Sequence, residues 1–560
     1  MDMLWDYETD FLVVGSGGGL AGAVAAGAAG LDVLVVESSE FIGGSLGVSG
    51  GVLWLPDNPI MRRHGLHDSP EAALEHFASV VGDAGPASSD ARRHAFITRG
   101  ADMVRLLERE GVKFVLCEGN SDYYAGIPEI AGAVVNGRAI EADLFDTRRL
   151  GELSRRLRPA IAAPLVVRTG EAGALTLFRV SARSLLKAVR VGIRTAAALL
   201  QGRRMTSNGG ALAARLLEVL QRREVPLWTG TSLEELVRQD DRIVGAVVRR
   251  DGAPLRIRAR AGVLIASGGF ARNAGMRTRY GADRPADGTW SLATPEDTGG
   301  PIRLAMDLGA ATDLMDEAWW VPVFRKPDGG LGMVLPERFR PGSIIVDGRG
   351  ERYFNEAESA MEAGRRMYQR EAETGTGIPS WLILDNRHRS RYLLGMLPPG
   401  LTPKSWIVGG HLKRSSTLAG LAEQCGLSPA MLTATVERFN GFAATGVDED
   451  FHRGRGVHEQ SQGDPTHRPN PCLGPLTKAP FYAVQIFPGD VGTSGGLLCD
   501  EHSRVLDHDG TPIPGLYATG NATASIMGHA YPAGGASISA TCVFAHIAGE
   551  HAASGAGEPA

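Results

Sequence analysis

Cysteine is scarce and poorly spaced for chemistry: Cys117, Cys425, Cys472, Cys499 and Cys542 include no CxxC pair, and their number is odd. That argues against a disulfide framework and against a metal site, and it fits a reducing cytoplasm better than an oxidising compartment. Neither charge sign is in excess. The 58 Lys and Arg against 63 Asp and Glu leave a net charge of −5, so nothing points to nucleic acid or to a strongly acidic partner. The N-terminal stretch MDMLWDYETD is too acidic for a secretory signal. No internal repeat recurs, which sets solenoids and propellers aside. One run, residues 11–36, approaches a membrane span in length, but Asp32 interrupts it, and two β-branched runs flank a glycine turn and an alanine-rich stretch. It reads as strand, turn, helix and strand.

Glycine is what the chain has in quantity: 74 of 560 residues, against roughly 7% in an average protein. Much of the excess lies in short clusters, where the missing side chain lets backbone approach a ligand. The length exceeds one ordinary core, so two domains are expected, one interrupting the other.

The first cluster has a clear context. Phe11-Leu-Val-Val14 reads as a buried parallel strand, followed by Gly15-Ser-Gly17-Gly18-Gly19, an alanine-rich helix, and the strand Val33-Leu-Val-Val36 closed by Glu37 and Ser38. The glycines permit a tight turn, the helix N-terminus offers free N–H groups to a pyrophosphate, and the carboxylate can accept from ribose hydroxyls. The usual sixth glycine is replaced by Leu20, with Gly22 two residues on, which predicts a shifted helix entry.

Further glycine turns follow at Gly43-Gly44-Ser45, Ser49-Gly50-Gly51, Ser267-Gly268-Gly269, Gly520-Asn521 and Gly534-Gly535-Ala536-Ser537-Ile538. A nicotinamide domain has no need of so many separated turns, whereas a large two-part cofactor does, so FAD is expected. No histidine accompanies Gly43-Gly44-Ser45, so the flavin is expected to be held non-covalently. The fold class is α/β: a Rossmann-like FAD-binding domain in residues 1–320 and 486–560, interrupted by an α+β substrate (cap) domain over 321–485. Residues 553–560 read as a disordered tail. Residues 174–204 mix apolar side chains with seven Arg and Lys; they form either a solvated basic face on a packed helix or a surface that rests on anionic lipid.

Taken in order, VVGSGGG, FIGGSLGVSGGVLWLP, SDYY, DEAWW, GERYFNEA, PGDVGTSGGLLCDEHSRVL, GLYATGNATASIMG and AYPAGGASI resemble the 3-ketosteroid Δ1-dehydrogenases of the fumarate reductase/succinate dehydrogenase flavoprotein family. The resemblance implies removal of two hydrogens beside a ketone in a small apolar substrate, with electrons passed on to an acceptor the sequence does not identify. It implies that the Tyr531 hydroxyl and the Gly535 N–H polarise the carbonyl, and that Tyr123 is a further pocket tyrosine supporting the base. Preorganised donors stabilise a developing enolate best in a dry pocket.

The base itself departs from the pattern. The family carries tyrosine six positions into NEx₃Y, and Asn355-Glu-Ala-Glu-Ser-Ala360 has alanine there. Either Tyr123 takes over, or Tyr124, Tyr368 or His529 fills in, or the substrate differs. A fumarate- or enoate-type reductase is the alternative activity, with Arg365, Arg366, Arg387, Arg389 and Arg391 as candidate carboxylate clamps or proton donors. A flavin-binding protein that has lost its base is a third reading. Trp319-Trp320 is either core or the wall of a pocket for a flat apolar substrate.

Overall fold

The computed structural model describes residues 4–159, 165–281, 284, 287–395 and 397–555. Its first unit is the expected one: β1 (Tyr7–Val14), α1 (Gly19–Ala28) and β2 (Val33–Val36), with β1 and β2 parallel from Phe11 opposite Val33 to Val14 opposite Val36. Both faces of this pair are covered. Phe11, Val13, Val33 and Val35 enter one apolar core, and Leu12, Val14, Leu34 and Val36 enter another, which is why the strands read as unbroken apolar runs. Gly15 turns the chain with φ +109°, and a Cβ there would lie 2.3 Å from the Ala266 carbonyl oxygen.

After α2 (Ala182–Leu200) and α3 (Asn208–Arg222) come β3 (Leu227–Trp228), β4 (Thr231–Gln239), β5 (Arg242–Arg250) and β6 (Ala253–Ile265). Asp240 and Asp251 adopt left-handed φ in the two hairpin turns, as the Gln239-Asp-Asp-Arg and Arg250-Asp-Gly signals anticipate. A second sheet follows: β7 (Ala318–Arg325), β8 (Leu331–Met333), β9 (Ser343–Val346), then α4 (Ala360–Thr374), β10 (Ser380–Leu384), β11 (Lys413–Ser415) and β12 (Phe481–Thr493). The chain returns to the first sheet with β13 (Arg504–Leu506) and β14 (Pro512–Ala518), and α5 (Ala536–Gly555) closes it.

The first sheet has the order β13-β14-β6-β1-β2-β3, with β5 on β6 and β4 on β5; its centre is parallel. The second has the order β8-β7-β12-β10-β9 with β11 on β12, and all its pairings are antiparallel. β12 runs through the expected boundary at 486. α1 packs on α5 at very close range, and a Cβ on Gly22 would lie 3.0 Å from the Ala545 carbonyl oxygen. Gly22 therefore takes the helix-packing task that Leu20 cannot perform.

Two expectations are corrected. α5 continues through Ala553–Gly555, so those residues are helix rather than tail; residues 556–560 lie outside the described residues. α2 is not a packed helix with a solvated basic face, because only Ser184, Val191 and Ala198 are buried, while Leu185, Leu186, Val189, Ile193, Leu199 and Leu200 are exposed. Among the described residues no helix is long and apolar enough to cross a membrane.

Candidate active site

The glycine turns converge on one large cavity of about 1840 Å³, above the roughly 300–1,000 Å³ of an ordinary ligand pocket. Gly15, Gly17, Gly18, Glu37, Ser38, Gly44, Ser45, Ser49, Gly50, Gly51, Ser267, Gly268, Gly520, Asn521, Ser537 and Ile538 all line it. Three expected contacts do not. Gly19 is wedged between Val13 and Ala266, Gly269 abuts the Thr493 hydroxyl and donates to Asp297 Oδ1 at 2.9 Å, and Gly43 donates to Ser16 Oγ at 3.0 Å. They hold the turns in place from behind the wall.

The wall suits a dinucleotide. Among the described residues the N–H groups of Gly17, Gly18 and Gly19 at the start of α1 have no partner, and a Cβ on Gly17 would meet nothing closer than 3.6 Å. Ser267 Oγ and Asp297 Oδ2 are buried without a partner, and both residues line the cavity. Orphaned polar atoms of this kind call for a hydroxyl-rich ligand. Burial pushes the Asp297 carboxyl up to about 7. Nothing in its sequence context distinguishes Asp297 from other acidic loop residues, and it was not anticipated.

Glu37 is already engaged. Ser16 N–H at 2.9 Å and Ser16 Oγ at 2.6 Å reach Oε2, while Ser39 N–H at 2.8 Å and Ser38 Oγ at 3.3 Å reach Oε1. The two backbone donors keep the Glu37 carboxylate aimed at the cavity wall.

In the same cavity Tyr531, Gly535 and Tyr123 come together. The Tyr531 and Tyr123 rings lie 6.0 Å apart, and Tyr123 N–H donates to the Pro532 carbonyl at 3.0 Å, which ties the two loops. The Tyr531 oxygen is 3.0 Å from Ser537 Oγ, and burial pushes its phenol up while Ser537 and the Gly535 N–H pull it back. A phenol hydroxyl and a backbone N–H thus face one spot at the N-terminus of α5. Trp319 edges the Tyr531 ring at 5.4 Å and is pinned through its indole N–H to Asn521 Oδ1 at 2.9 Å, so it belongs to the cavity wall. Trp320 also lines the cavity, stacked edge-on against Tyr368.

Ala360 opens α4 and lines the same cavity, so the missing tyrosine leaves open space. Three of the four suggested replacements are elsewhere. Tyr124 is outside the wall, Tyr368 donates to the Pro488 carbonyl at 3.2 Å, and His529 pairs with Glu317 at 3.2 Å. Only Tyr123 of that set faces the cavity. The five arginines offered as carboxylate clamps also lie outside it; Arg389, for instance, is spent on the Tyr392, Pro398 and Leu401 carbonyls.

Sequence reading missed His458 and Arg338, both in the wall. The His458 ring sits 4.5 Å from Tyr123, with Nδ1 3.2 Å from Ser121 Oγ, and burial together with Arg338 pushes it down to about 4. Each lies in a stretch with no motif around it, so no local signal could have found them.

A family model described as an FAD binding domain matches residues 10–538. The 3-oxosteroid 1-dehydrogenase of Mycolicibacterium smegmatis is 38% identical over 556 residues, covering 97% of this chain and 96% of the relative. The enzyme of the same name from Mycobacterium tuberculosis is 39% identical over 569 residues, covering 98% and 99%. The crystal structure of 3-ketosteroid delta1-dehydrogenase from Sterolibacterium denitrificans in complex with 1,4-androstadiene-3,17-dione superposes with a TM-score of 0.92 at 37% identity, covering 98% of this chain and all of that one.

Proposed function

Because the chain belongs to the FAD-binding-domain flavoproteins, in their 3-ketosteroid Δ1-dehydrogenase-like branch, we propose that it oxidises a 3-ketosteroid to the Δ1 enone. It is an FAD-dependent oxidoreductase acting on a CH–CH donor. The observation that carries the reading is the meeting of Tyr531, Gly535 and Tyr123 in the cavity that the glycine cradle also lines. The fumarate-type alternative needs a cationic clamp, and the arginines that suggested it face away from the cavity.

Bound FAD supplies a two-electron acceptor able to take a hydride from the β-carbon. The protein does the rest. The Tyr531 hydroxyl and the Gly535 N–H donate to the ketone oxygen, so electron density released at the α-carbon moves onto an oxygen already held by two donors. Tyr123 takes the α-proton. Trp319, Trp320, Phe339 and Met361 exclude water from that site, which strengthens both donors. The second sheet and α4, which share no strand with the first sheet and supply Trp319, Trp320 and Ala360 to the wall, form the inserted cap. Anaerobic mixing of the holoenzyme with 3-ketosteroids bleaches the flavin absorbance, whereas fumarate-type unsaturated acids leave pre-reduced flavin unoxidised. The reverse pattern would overturn the assignment.

The exposed apolar face of α2 supports contact with a lipid surface. Leu186 is 70% exposed and Ile193 65%, and Arg183, Lys187 and Arg190, none with a carboxylate partner among the described residues, sit on the same helix. Arg183, Ser184 and Lys187 also line the cavity, so an apolar ketone held in anionic lipid would enter beside them. Replacing both Leu186 and Ile193 by Glu is expected to abolish sedimentation with phosphatidylglycerol vesicles and leave turnover of dissolved steroid intact. Unchanged sedimentation would sink the idea.

A further inference from the structure

Tyr123 stands on a stretch with no regular structure of its own: residues 117–138 join the strands Phe114–Leu116 and Ala139–Ala142 without a helix or strand between them. Its oxygen nevertheless faces a defined spot. A Cβ built on Gly534 would lie 3.4 Å from the Tyr123 hydroxyl, next to the residue that offers the Gly535 N–H. A loop side chain keeps such a place only where neighbouring hydrogen bonds and packing lock it.

The lock begins at the preceding residue. Asp122 is buried, and its carboxylate is fully engaged. Oδ1 accepts from the Trp54 indole N–H at 2.7 Å, while Oδ2 accepts from Arg138 Nη1 at 2.8 Å and from the Val134 N–H at 3.0 Å. The Asp122 N–H returns to the Val134 carbonyl at 3.0 Å, which pins the loop upon itself. Arg138 is clamped in turn by Asp68, through Nε and Nη2 at 2.8 Å each. His76 Nε2 stands 3.7 Å from Oδ2, but burial pushes that imidazole down, so Arg138 is the cation matched to Asp122. A buried carboxylate is stable only when paired this completely, and a satisfied buried network favours one geometry.

Trp54 faces two ways. Its indole holds Asp122, whereas its backbone N–H donates to Ser539 Oγ at 2.5 Å, and Ser539 Oγ donates to the Gly535 carbonyl at 2.7 Å. Two residues earlier on the same short strand, the Val52 carbonyl oxygen lies 2.5 Å from where a Cβ on Gly535 would stand, so strand and turn are in direct contact. The Tyr123 N–H closes the circuit on the Pro532 carbonyl at 3.0 Å. The Trp54 ring is itself fixed, stacked on Phe96 at 6.0 Å and tilted against Phe77 at 5.7 Å.

We infer that Asp122 and Trp54 are positioning residues: acting through the loop backbone, they set the Tyr123 hydroxyl in register with the Gly535 N–H and the Tyr531 hydroxyl. The inference rests on the ketone-dehydrogenase reading above. It gives a physical task to the aspartate of Ser121-Asp-Tyr-Tyr124 and to the tryptophan of Val52-Leu-Trp54.

Trp54→Phe removes the indole N–H while keeping an aromatic ring and the backbone bond to Ser539. It is expected to lower kcat of the holoenzyme on a 3-ketosteroid by about 10–10²-fold, the scale of a roughly 1 Å misplacement. The steroid dissociation constant and FAD content should hardly move. In a Tyr123→Phe background the same change should cost little more, because no hydroxyl remains to be placed. Equal losses in both backgrounds, or weaker steroid binding that accounts for the whole effect, would make Trp54 a packing residue and overturn the inference. Normal turnover in Tyr123→Phe alone would overturn it too. Should Trp54→Phe fail to fold, Asp122→Asn runs the same cycle: it keeps an acceptor for the indole but sets an NH₂ against the Arg138 and Val134 donors, and additive losses there are equally fatal. Wild-type flavin that no ketosteroid bleaches would instead defeat the functional reading itself.

Discussion

Tyr531→Phe is expected to lower ketosteroid turnover by about 10²–10³-fold, the usual cost of deleting one donor from an oxyanion-stabilising pair. The ring stays, so its contacts with Trp319 and Tyr123 persist, and flavin content is expected to be unchanged. The structure alters what else should be measured. Because the Tyr531 oxygen is paired with Ser537 Oγ at 3.0 Å, the substitution costs about 1 kcal/mol of stability whether or not the residue is catalytic. Melting temperature therefore does not discriminate, and turnover per bound flavin does. Near-normal turnover would remove Tyr531 from the chemistry and leave Gly535 without its partner.

Tyr123→Phe is expected to cost about 10²–10⁴ in kcat/KM, the range associated with a positioned general base. Substrate dissociation constants should hardly move, since the ring and its stacking on His458 remain. The informative companion is Ala360→Tyr in the Tyr123→Phe background. Position 360 opens α4 at the cavity wall with open space before it, so a phenol there can be accommodated and should recover much of the lost rate. Rescue would show that one proton acceptor is needed and that two wall positions can supply it. A folded, flavin-replete double variant that stays as slow as Tyr123→Phe would mean that proton removal runs through neither position.

Specificity at this site depends on which atoms meet the ketone, and that separates the substrate site from the cofactor site. The cofactor site is made of turns and a helix terminus, whose donors are backbone and depend little on side-chain identity. The substrate site is made of side chains from widely separated segments, and there the chain departs from its resemblance at Ala360 while keeping Tyr531, Gly535 and Tyr123.

The nucleotide half is legible in local sequence. The runs Phe11–Val14 and Val33–Val36, the glycine turn between strand and helix, and the later turns at 267–268 and 520–521 are local patterns, and each encodes its own backbone conformation. Even the shifted glycine at Gly22 was visible, although only the approach of α5 explained it. Tertiary structure alone decided that Gly19, Gly43 and Gly269 stand behind the wall, and that the hydrophobic residues of α2 face outward. It also brought Asp297, Arg338 and His458 into the cavity from stretches without motifs. The physical reason is range. A turn or a strand is fixed by neighbours a few residues away, whereas burial and the meeting of Tyr123 with His458 and Tyr531 are set by contacts between segments hundreds of residues apart, which no local spacing records.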